Sequence, residues 1–589
     1  MSNTIQKILT LLKNNRQYIV MICFVGVLFA KQLMFQWNAY HSMAISSIIT
    51  DPLYFWSFWV AKIAIVLFVG SFVLIGKRNW WTIIFSVLID FWMLANMMYL
   101  RSNGLLLDGY AFTMTSNMDG FWSSCWGLLE LVDTVPFMLS IALAFLVVWL
   151  EQEHTNPRNW KLFVIAMTAS ILINWASFTL VRQFECRFYA HGVVKVESVW
   201  RSMTFNPFTT TAREGMKPMN KDYAFANFSL THGVIFDILD FIDIQRGIKH
   251  PYRLTPEEQE MVAPLMGIDH EINHERMLLI VLIESLESWA VQPEIMPNLY
   301  CFIDTHPVAY VRYSESQIVG GSSADGQMIV NTGLLPVRDG ATCFRFPYVT
   351  YPSIVDRNDS SVTILTHSAN CWNQKVMSNA YGYTQLIEGE WHDEVLSERV
   401  IQYAQRGYKT IQAITVTSHI PFEHAGYSNL EVPADMPGLM AKYCKSLHLT
   451  DEGLASLFAM IDSIPTLKDA TIVITGDHSI FWKDRRDEFK KWCKQHNREW
   501  PVEIAACPVI YYSPSITEDI EVLDLCYQMD IFPTLLNLTG NEEYYWKGFG
   551  INVLDTNYTK NHRNDIQSLF ELSDKVIQAN YFECNYKEL

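Results

Sequence analysis

Polar side chains of the kind that bind metals follow four apolar runs in the second half of the sequence. The runs are 278–283, 363–366, 414–417 and 471–475, and the residues after them are Glu284, His367, Ser418-His419 and Asp477-His478. If these runs are parallel strands, their carboxyl ends meet at the crevice where open α/β sheets bind ligands. Carboxylates with a histidine suit hard or borderline divalent cations. Any one of these residues alone is more typical of a strand end or helix cap, but the set predicts a metal and phosphate site.

The segment Val319–Gln327 is the best source of a nucleophile, because it holds Ser322 and Ser323 between glycines. Glycines permit a close backbone approach, and a helix that begins after the serines would direct free N–H groups at an anion. A serine hydroxyl bound to a divalent cation becomes acidic enough to attack phosphorus. The segment also fits a Gly/Ser-rich turn that only caps a helix.

The elements that must hold these residues begin at Met277, where short apolar runs start to alternate with helical patterns. This alternation is typical of a parallel sheet wound with helices. It predicts a mostly parallel α/β domain.

The chain before residue 183 has a different character. Of the 589 residues, 50% are hydrophobic and only 18% are charged, and the apolar excess is concentrated in this part. Five stretches approach or exceed the roughly 20 residues that cross a bilayer. They cover about 18–36, 53–76, 80–99, 135–150 and 162–181. We therefore expect a five-span membrane region, and we expect Lys62 and Asp90, which lie at similar depth, to form an ion pair inside it.

Basic residues flank the predicted spans mainly on one side, since the loops on the other side contain only Arg101. Lys7, Lys13 and Arg16 precede the first span, Lys77 and Arg78 join spans two and three, and Arg158 and Lys161 join spans four and five. The positive-inside rule then places the N-terminus in the cytoplasm and the chain after Arg182 outside. We expect a transmembrane domain at 1–182, an interfacial linker at 183–275 and an extracytoplasmic catalytic domain at 276–589, in the plasma (inner) membrane.

Net charge and cysteine content narrow the class further. The formal net charge of −17 gives no electrostatic footprint for nucleic acid, so we exclude it as a partner. Nine of the 11 cysteines follow residue 183, without a repeated CxxC pattern, and this argues against a zinc ribbon or a thioredoxin-like motif. Their pairing stays open.

Taken in order, these motifs resemble the lipoteichoic acid synthase family of membrane phosphoglycerol transferases, in the alkaline phosphatase and sulfatase superfamily. The resemblance covers nearly the whole chain. Beyond the five spans, it rests on Glu284 with Pro297-Asn298-Leu299, Gly321-Ser322-Ser323-Ala324-Asp325, Cys371-Trp372-Asn373, Thr417-Ser418-His419, Gly476-Asp477-His478 and Asp530–Thr534. It implies an alkaline phosphatase/sulfatase-like fold for the second domain.

The resemblance also implies roles for individual residues. Glu284, Asp477, His478 and the nucleophile hydroxyl would bind a divalent cation, manganese first, with magnesium or zinc as alternatives. The alignment makes Ser323 the nucleophile and Ser322 the runner-up. His419, Trp372, Asn373 and Gln374 would bind the headgroup, and His419 would also take part in catalysis.

Three positions depart from the family pattern, which has threonine at 323, tends to have an acid at 327 and usually has arginine at 374. Gln374 cannot replace the bidentate phosphate contact of an arginine. A sulfatase is disfavoured, because Leu334 stands where its Cys or Ser precursor would be.

The function that follows is transfer of a phosphoglycerol headgroup from phosphatidylglycerol to a cell-envelope glycan or lipid, through a covalent phospho-serine. Four alternatives stay open. They are a phosphoethanolamine transferase, a hydrolase of the same superfamily, a non-catalytic protein that binds an envelope polymer, and, least favoured, a transporter.

Overall fold

The computed structural model describes residues 15–43, 52–103, 107, 128–151, 156–189, 242, 245–247, 249, 251–338, 340–389, 391–481, 483–555 and 566–583. The chain divides into two compact units, and the described residues up to Gln245 belong to the first and those from Arg246 onward to the second. Each unit is described by itself.

The described residues of the N-terminal unit form five long helices. They are α1 (Arg16–Met43), α2 (Pro52–Ser71), α3 (Trp81–Asn103), α4 (Val135–Glu151) and α5 (Trp160–Tyr189). Each predicted span lies mainly in one of these helices. Three helical segments, Arg16–Asn38, Trp81–Arg101 and Leu131–Leu150, are long and apolar enough to cross a membrane. The apolar stretches of α2 and α5 are shorter over the residues searched, so membrane-spanning length is confirmed for three of the five predicted spans.

The charged pair inside this unit is not the one expected from the sequence. Lys31 Nζ lies 2.5 Å from Asp90 Oδ1 and also donates to Ser86 Oγ (2.7 Å) and Ser140 Oγ (2.6 Å). Lys62 instead donates to Gln36 Oε1. The predicted Lys62–Asp90 pair is therefore wrong, because similar depth does not determine which helix faces bring two charges together.

The C-terminal unit is built on one eight-stranded sheet with helices between the strands. Its strands are β1 (Leu278–Ile283), β2 (Ala309–Glu315), β3 (Ser361–Leu365), β4 (Gln385–Ile387), β5 (Thr410–Ile414), β6 (Thr471–Gly476), β7 (Cys507–Tyr512) and β8 (Ile520–Tyr527). Its helices are α6 (Pro256–Val262), α7 (Pro297–Thr305), α8 (Ser323–Thr332), α9 (Thr342–Arg345), α10 (Gln374–Ala380), α11 (Leu396–Gln405), α12 (Gly438–Met460), α13 (Pro465–Lys468), α14 (Lys483–Gln495), α15 (Ile531–Leu538) and α16 (Ile566–Gln578).

The order of strands in the sheet is β4-β3-β5-β1-β6-β7-β2-β8. The neighbours β3, β5, β1 and β6 run parallel to one another, whereas β7 is antiparallel to both β6 and β2. Because the four parallel strands are consecutive, their carboxyl ends share one edge of the sheet. The prediction of a mostly parallel sheet is confirmed.

The central strands are apolar on both faces, since every residue of β1, Leu278 to Ile283, is buried. This pattern is typical of a parallel strand covered by helices on both sides. Two predicted runs continue past the strands that they were expected to form. β5 covers Thr410–Ile414, so Thr415–Thr417 lie beyond it, and β3 ends at Leu365, one residue before Thr366.

No disulfide joins any two of the eight cysteines whose side chains the structure describes, and six of these eight are buried in the C-terminal unit. The hydrophobic core thus holds these parts of the fold without covalent cross-links.

Candidate active site

The carboxyl end of β1 carries the first candidate ligand, Glu284. Its side chain is only 5% exposed, and its Oε1 accepts a hydrogen bond from Ser285 Oγ (2.7 Å). Ser285 has a left-handed backbone (φ 57°), and its amide donates to Asp477 Oδ1 (2.7 Å). This turn therefore links the ends of β1 and β6.

The end of β6 supplies Asp477 and His478, both buried. His478 Nδ1 lies 3.1 Å from the carbonyl oxygen of Ser479, which can only accept, so Nδ1 carries the hydrogen. Nε2 is left to present its lone pair. It lies 3.7 Å from Glu284 Oε1 and 3.8 Å from Asp477 Oδ2. A hydrogen bond from the distal ring nitrogen is the usual way a metal-binding histidine is oriented.

Ser323 is the first residue of α8 and lies beside these three groups. Its Oγ donates to Glu284 Oε2 (3.1 Å) and lies 3.4 Å from His478 Nε2. Ser322 precedes the helix with an unusual backbone (φ 42°, ψ −116°), which turns the chain into α8. The structure thus brings the hydroxyl of Ser323 to the predicted ligands.

The cluster suits a divalent cation. The ligand atoms of Glu284, Asp477 and His478 lie within 4.8 Å of one another, and buried Asp477 Oδ2 has no hydrogen-bond partner. Burial and the adjacent Glu284 carboxylate raise the pKa of Asp477. Burial alone would lower the pKa of His478, but Asp477 and Glu284 outweigh it and raise that pKa. Two buried carboxylates with an imidazole and a hydroxyl form a donor set that accepts Mn²⁺, Mg²⁺ or Zn²⁺.

Close backbone packing fixes α8 against the end of β6. A Cβ on Gly326 would lie 2.2 Å from the carbonyl oxygen of Asp477. Gln528 Nε2 donates to the same carbonyl oxygen (2.8 Å) and to that of Gly476 (3.0 Å). Asp325 accepts hydrogen bonds from the amides of Val319 and Gly321 and so holds the loop before the helix.

The end of β5 brings His419 to the same edge of the sheet. His419 Nδ1 lies 2.6 Å from the carbonyl oxygen of Ile420 and therefore donates to it, which leaves Nε2 as an acceptor. Burial, with a smaller contribution from His478, lowers the pKa of His419 to about 4. Ser418 Oγ donates to the backbone oxygen of Glu284 (2.6 Å).

The loop after β5 is held by Asp393, which sequence reasoning did not single out. Its carboxylate accepts from the amides of Val416 (2.9 Å) and Thr417 (3.1 Å) and from the hydroxyls of Thr366 and Thr450 (2.9 Å each). Nothing in the local sequence marks Asp393, because its partners come from distant segments.

The predicted headgroup residues lie beyond β3. Trp372 and Asn373 both have left-handed backbones (φ 50° and 55°), a conformation that costs roughly 1–3 kcal/mol for each residue and is concentrated at functional sites. Asn373 Nδ2 donates to the carbonyl oxygen of Cys343 (2.8 Å), and the ring of Trp372 lies 6.4 Å from that of Phe344. Gln374 begins α10 and is buried. The contacts described here connect Trp372 and Asn373 to α9.

Two family models match the chain. The lipoteichoic acid synthase N-terminal domain matches residues 1–189, and the sulfatase domain matches residues 348–541. No curated protein sequence matches it.

Several solved structures are similar at low identity. The lipoteichoic acid synthase LtaP from Listeria monocytogenes is 19% identical (TM-score 0.45; 55% of this chain and 98% of that one covered). The phosphoethanolamine transferase EptA from Neisseria meningitidis is 12% identical (TM-score 0.48; 89% and 96%). The phosphoglycerol transferase GacH from Streptococcus pyogenes is 14% identical (TM-score 0.38; 55% and 90%).

The sulfatase match and the parallel sheet with its ligand cluster identify the C-terminal unit as an α/β domain of the alkaline phosphatase/sulfatase type. The N-terminal match adds a lipoteichoic acid synthase N-terminal domain, and the two domains together support a phosphotransferase. Its apolar N-terminal helices make it a membrane protein.

Proposed function

We propose that this enzyme transfers the phosphoglycerol headgroup of phosphatidylglycerol to a cell-envelope glycan or lipid. The observation that carries the proposal is the position of Ser323 Oγ, 3.1 Å from Glu284 Oε2 and 3.4 Å from His478 Nε2, in a chain with a lipoteichoic acid synthase N-terminal domain. A hydroxyl beside two buried carboxylates and an imidazole is placed to bind the same cation and to act as a nucleophile, which a simple helix cap would not require.

Glu284, Asp477, His478 and Ser323 would hold the divalent cation, which when bound neutralises phosphate charge and makes the serine hydroxyl more acidic. We propose manganese for this position, with magnesium or zinc as alternatives. The pairing of hard carboxylates with one imidazole admits all three.

The first half-reaction forms a bond between Ser323 Oγ and the lipid phosphorus, and it breaks the bond from phosphorus to the diacylglycerol oxygen. The proton that Ser323 Oγ shares with Glu284 Oε2 is the one that the departing diacylglycerol oxygen takes up, so the step neither gains nor loses a proton. The product is a glycerophosphoryl-serine and free diacylglycerol. Covalent catalysis of this type divides one difficult displacement into two easier ones.

In the second half-reaction the acceptor hydroxyl attacks the same phosphorus, and the bond to Ser323 Oγ breaks. His419 would orient the phosphate or help the acceptor proton to leave, with its ring held by the hydrogen bond from Nδ1 to the carbonyl oxygen of Ile420. The proton that the acceptor hydroxyl loses ends on Ser323 Oγ, so the enzyme returns to its starting state.

The headgroup subsite would be formed by Trp372, Asn373, Gln374 and His419. The strained backbone at Trp372 and Asn373 supports this assignment, since such strain persists where a binding group must be held in place. Gln374 is neutral, so it would donate one amide hydrogen bond to a phosphate oxygen, whereas an arginine would bind phosphate through two charged hydrogen bonds.

The membrane arrangement completes the proposal. Five spans with a cytoplasmic N-terminus would place the catalytic unit outside the plasma (inner) membrane, where both the lipid donor and the envelope acceptor are available. The positive-inside distribution of Lys and Arg supports this orientation.

The test uses the full chain in nanodiscs that contain phosphatidylglycerol or phosphatidylethanolamine, with Mn²⁺ or with a chelator. We expect diacylglycerol release from phosphatidylglycerol with Mn²⁺, retained in Ser322→Ala and lost in Ser323→Ala. Release from phosphatidylethanolamine alone would replace the headgroup assignment with ethanolamine. No release from either lipid with any divalent metal would overturn the transferase proposal.

A further inference from the structure

A buried ion pair lies behind the candidate ligands and is not explained by catalysis itself. Glu287 follows Glu284 by three residues and is fully buried, and Arg486 on α14 is 5% exposed. Glu287 Oε1 lies 2.5 Å from Arg486 Nη2, and Oε2 lies 2.9 Å from Nη1. The pair is therefore bidentate, the geometry that fixes orientation best.

The carboxylate of Glu287 also holds the chain that follows His478. Its Oε1 accepts from the amides of Ile480 (2.9 Å) and Phe481 (3.2 Å). Arg486 Nε donates to the carbonyl oxygen of Phe481 (2.7 Å). Glu287 thus binds the N–H of Phe481 and Arg486 binds its C=O, three residues after the candidate ligand His478.

The other end of Glu287 is tied to the β1 turn. The hydroxyl of Tyr443 donates to the carbonyl oxygen of Ser285 (2.7 Å) and accepts from the amide of Glu287 (2.9 Å). Ser285 in turn donates to both Glu284 and Asp477. One continuous set of hydrogen bonds therefore runs from the segment after His478 to the turn that orients the two carboxylates.

We propose that Glu287 and Arg486 are positioning residues that hold His478 in register with Glu284 and Asp477 for cation binding. The inference rests on the proposed metal site. Replacing a buried ion pair with apolar residues is often neutral for stability, so stability alone does not explain why the pair is present. Partners outside the ligand shell typically change metal affinity by about 10- to 100-fold.

The test compares three full-length variants with the wild type. Glu287→Met/Arg486→Met removes both charges together, so that no uncompensated ion is left buried. Arg486→Lys keeps the positive charge but cannot form the bidentate pair of hydrogen bonds with Glu287. Asp451→Asn is the matched control, because this buried carboxylate likewise accepts two backbone amides, those of Asn298 and Leu299, but at the start of α7.

Two readouts are measured, the dissociation constant of Mn²⁺ by titration calorimetry and the hydrogen exchange of the Ile480–Phe481 amides in metal-free protein. We expect the double variant to bind Mn²⁺ about 10- to 100-fold more weakly and to exchange these amides faster. Arg486→Lys should fall between it and the wild type. Asp451→Asn should match the wild type in both.

The outcomes separate the inference from the function on which it rests. If the wild type binds Mn²⁺ and both Glu287/Arg486 variants have wild-type affinity and exchange, the positioning role is wrong and the proposed function stands. If the wild type binds no divalent metal, both the positioning role and the proposed function are wrong. If the double variant does not fold, Arg486→Lys decides alone, since a wild-type dissociation constant in it would refute the inference.

Discussion

The substitution Gly326→Ala tests the close packing on which the site depends. Gly326 lies in the first turn of α8, three residues after Ser323. An added Cβ would lie 2.2 Å from the carbonyl oxygen of Asp477 and 3.0 Å from its carbonyl carbon. Both are backbone atoms, so no side-chain rotation can relieve the contact. Ordinary contact begins near 3.4 Å, and α8 must therefore move from the end of β6 by about 1.2 Å, the difference of the two distances.

A shift of this size is large compared with the geometry it disturbs. Ser323 Oγ lies 3.1 Å from Glu284 Oε2 and 3.4 Å from His478 Nε2. Misplacement of a catalytic group by about 1 Å can reduce the rate on the order of 10²-fold. Overpacking of this kind costs about 1–3 kcal/mol of stability, which a domain of this size can absorb.

The assay is the kcat for diacylglycerol release, with thermal melting to verify the fold. We expect Gly326→Ala to stay folded and to lose about 10²-fold in kcat. Gly438→Ala is the control, because a Cβ there meets nothing within 4 Å and should leave kcat unchanged. A Gly326→Ala enzyme with nearly wild-type kcat would refute the reasoning.

Three further predictions follow from the described contacts. Asp477→Asn should abolish Mn²⁺ binding measured by calorimetry while the chain stays folded, and retained affinity would remove Asp477 from the ligand set. Lys31→Met should lower the free energy of unfolding in detergent by about 3–5 kcal/mol, because it leaves the Asp90 carboxylate buried without its cation. The double variant Lys31→Met/Asp90→Leu should recover most of this loss. Equal melting temperatures for the wild type and the two variants would contradict the prediction. Burial lowers the pKa of His367 from 6.5 to about 4. Between these two pH values His367 is protonated in the unfolded chain but neutral in the folded chain, so the free energy of unfolding should decrease as the pH is lowered through this range. In metal-free His367→Gln the melting temperature should fall less steeply over the same range, and identical slopes would contradict the assignment.

The strand ends are the part of the site that the sequence predicts best. A run such as Leu278–Ile283 is apolar throughout and is followed at once by Glu284, and the structure has the strand over those residues. The same holds at β6 before Asp477 and His478. The proximity of Glu284 to Asp477 and His478 follows from topology alone, because adjacent parallel strands have their carboxyl ends at the same edge of the sheet.

Where the prediction is less accurate, tertiary contacts decide the outcome. Thr415, Val416 and Thr417 have strand-type side chains, but the amides of Val416 and Thr417 donate to Asp393 rather than to a neighbouring strand. β-Branched residues favour strands only when a strand partner is available.

The ion pairs show the same limit in both units. Asp90 pairs with Lys31 rather than with Lys62, and Glu287 pairs with Arg486, which lies 199 residues further along the chain. Neither choice has a local signal, because each depends on which faces of two distant elements meet.

The most direct test of the central claim is the intact mass of the full chain after incubation with Mn²⁺ and phosphatidylglycerol in the absence of an acceptor. We predict the mass of one glycerophosphoryl group added, located on Ser323 by fragmentation, present in Ser322→Ala and missing in Ser323→Ala. Diacylglycerol release that proceeds in Ser323→Ala, or an adduct on Ser322 alone, would contradict the assignment of Ser323 as the nucleophile.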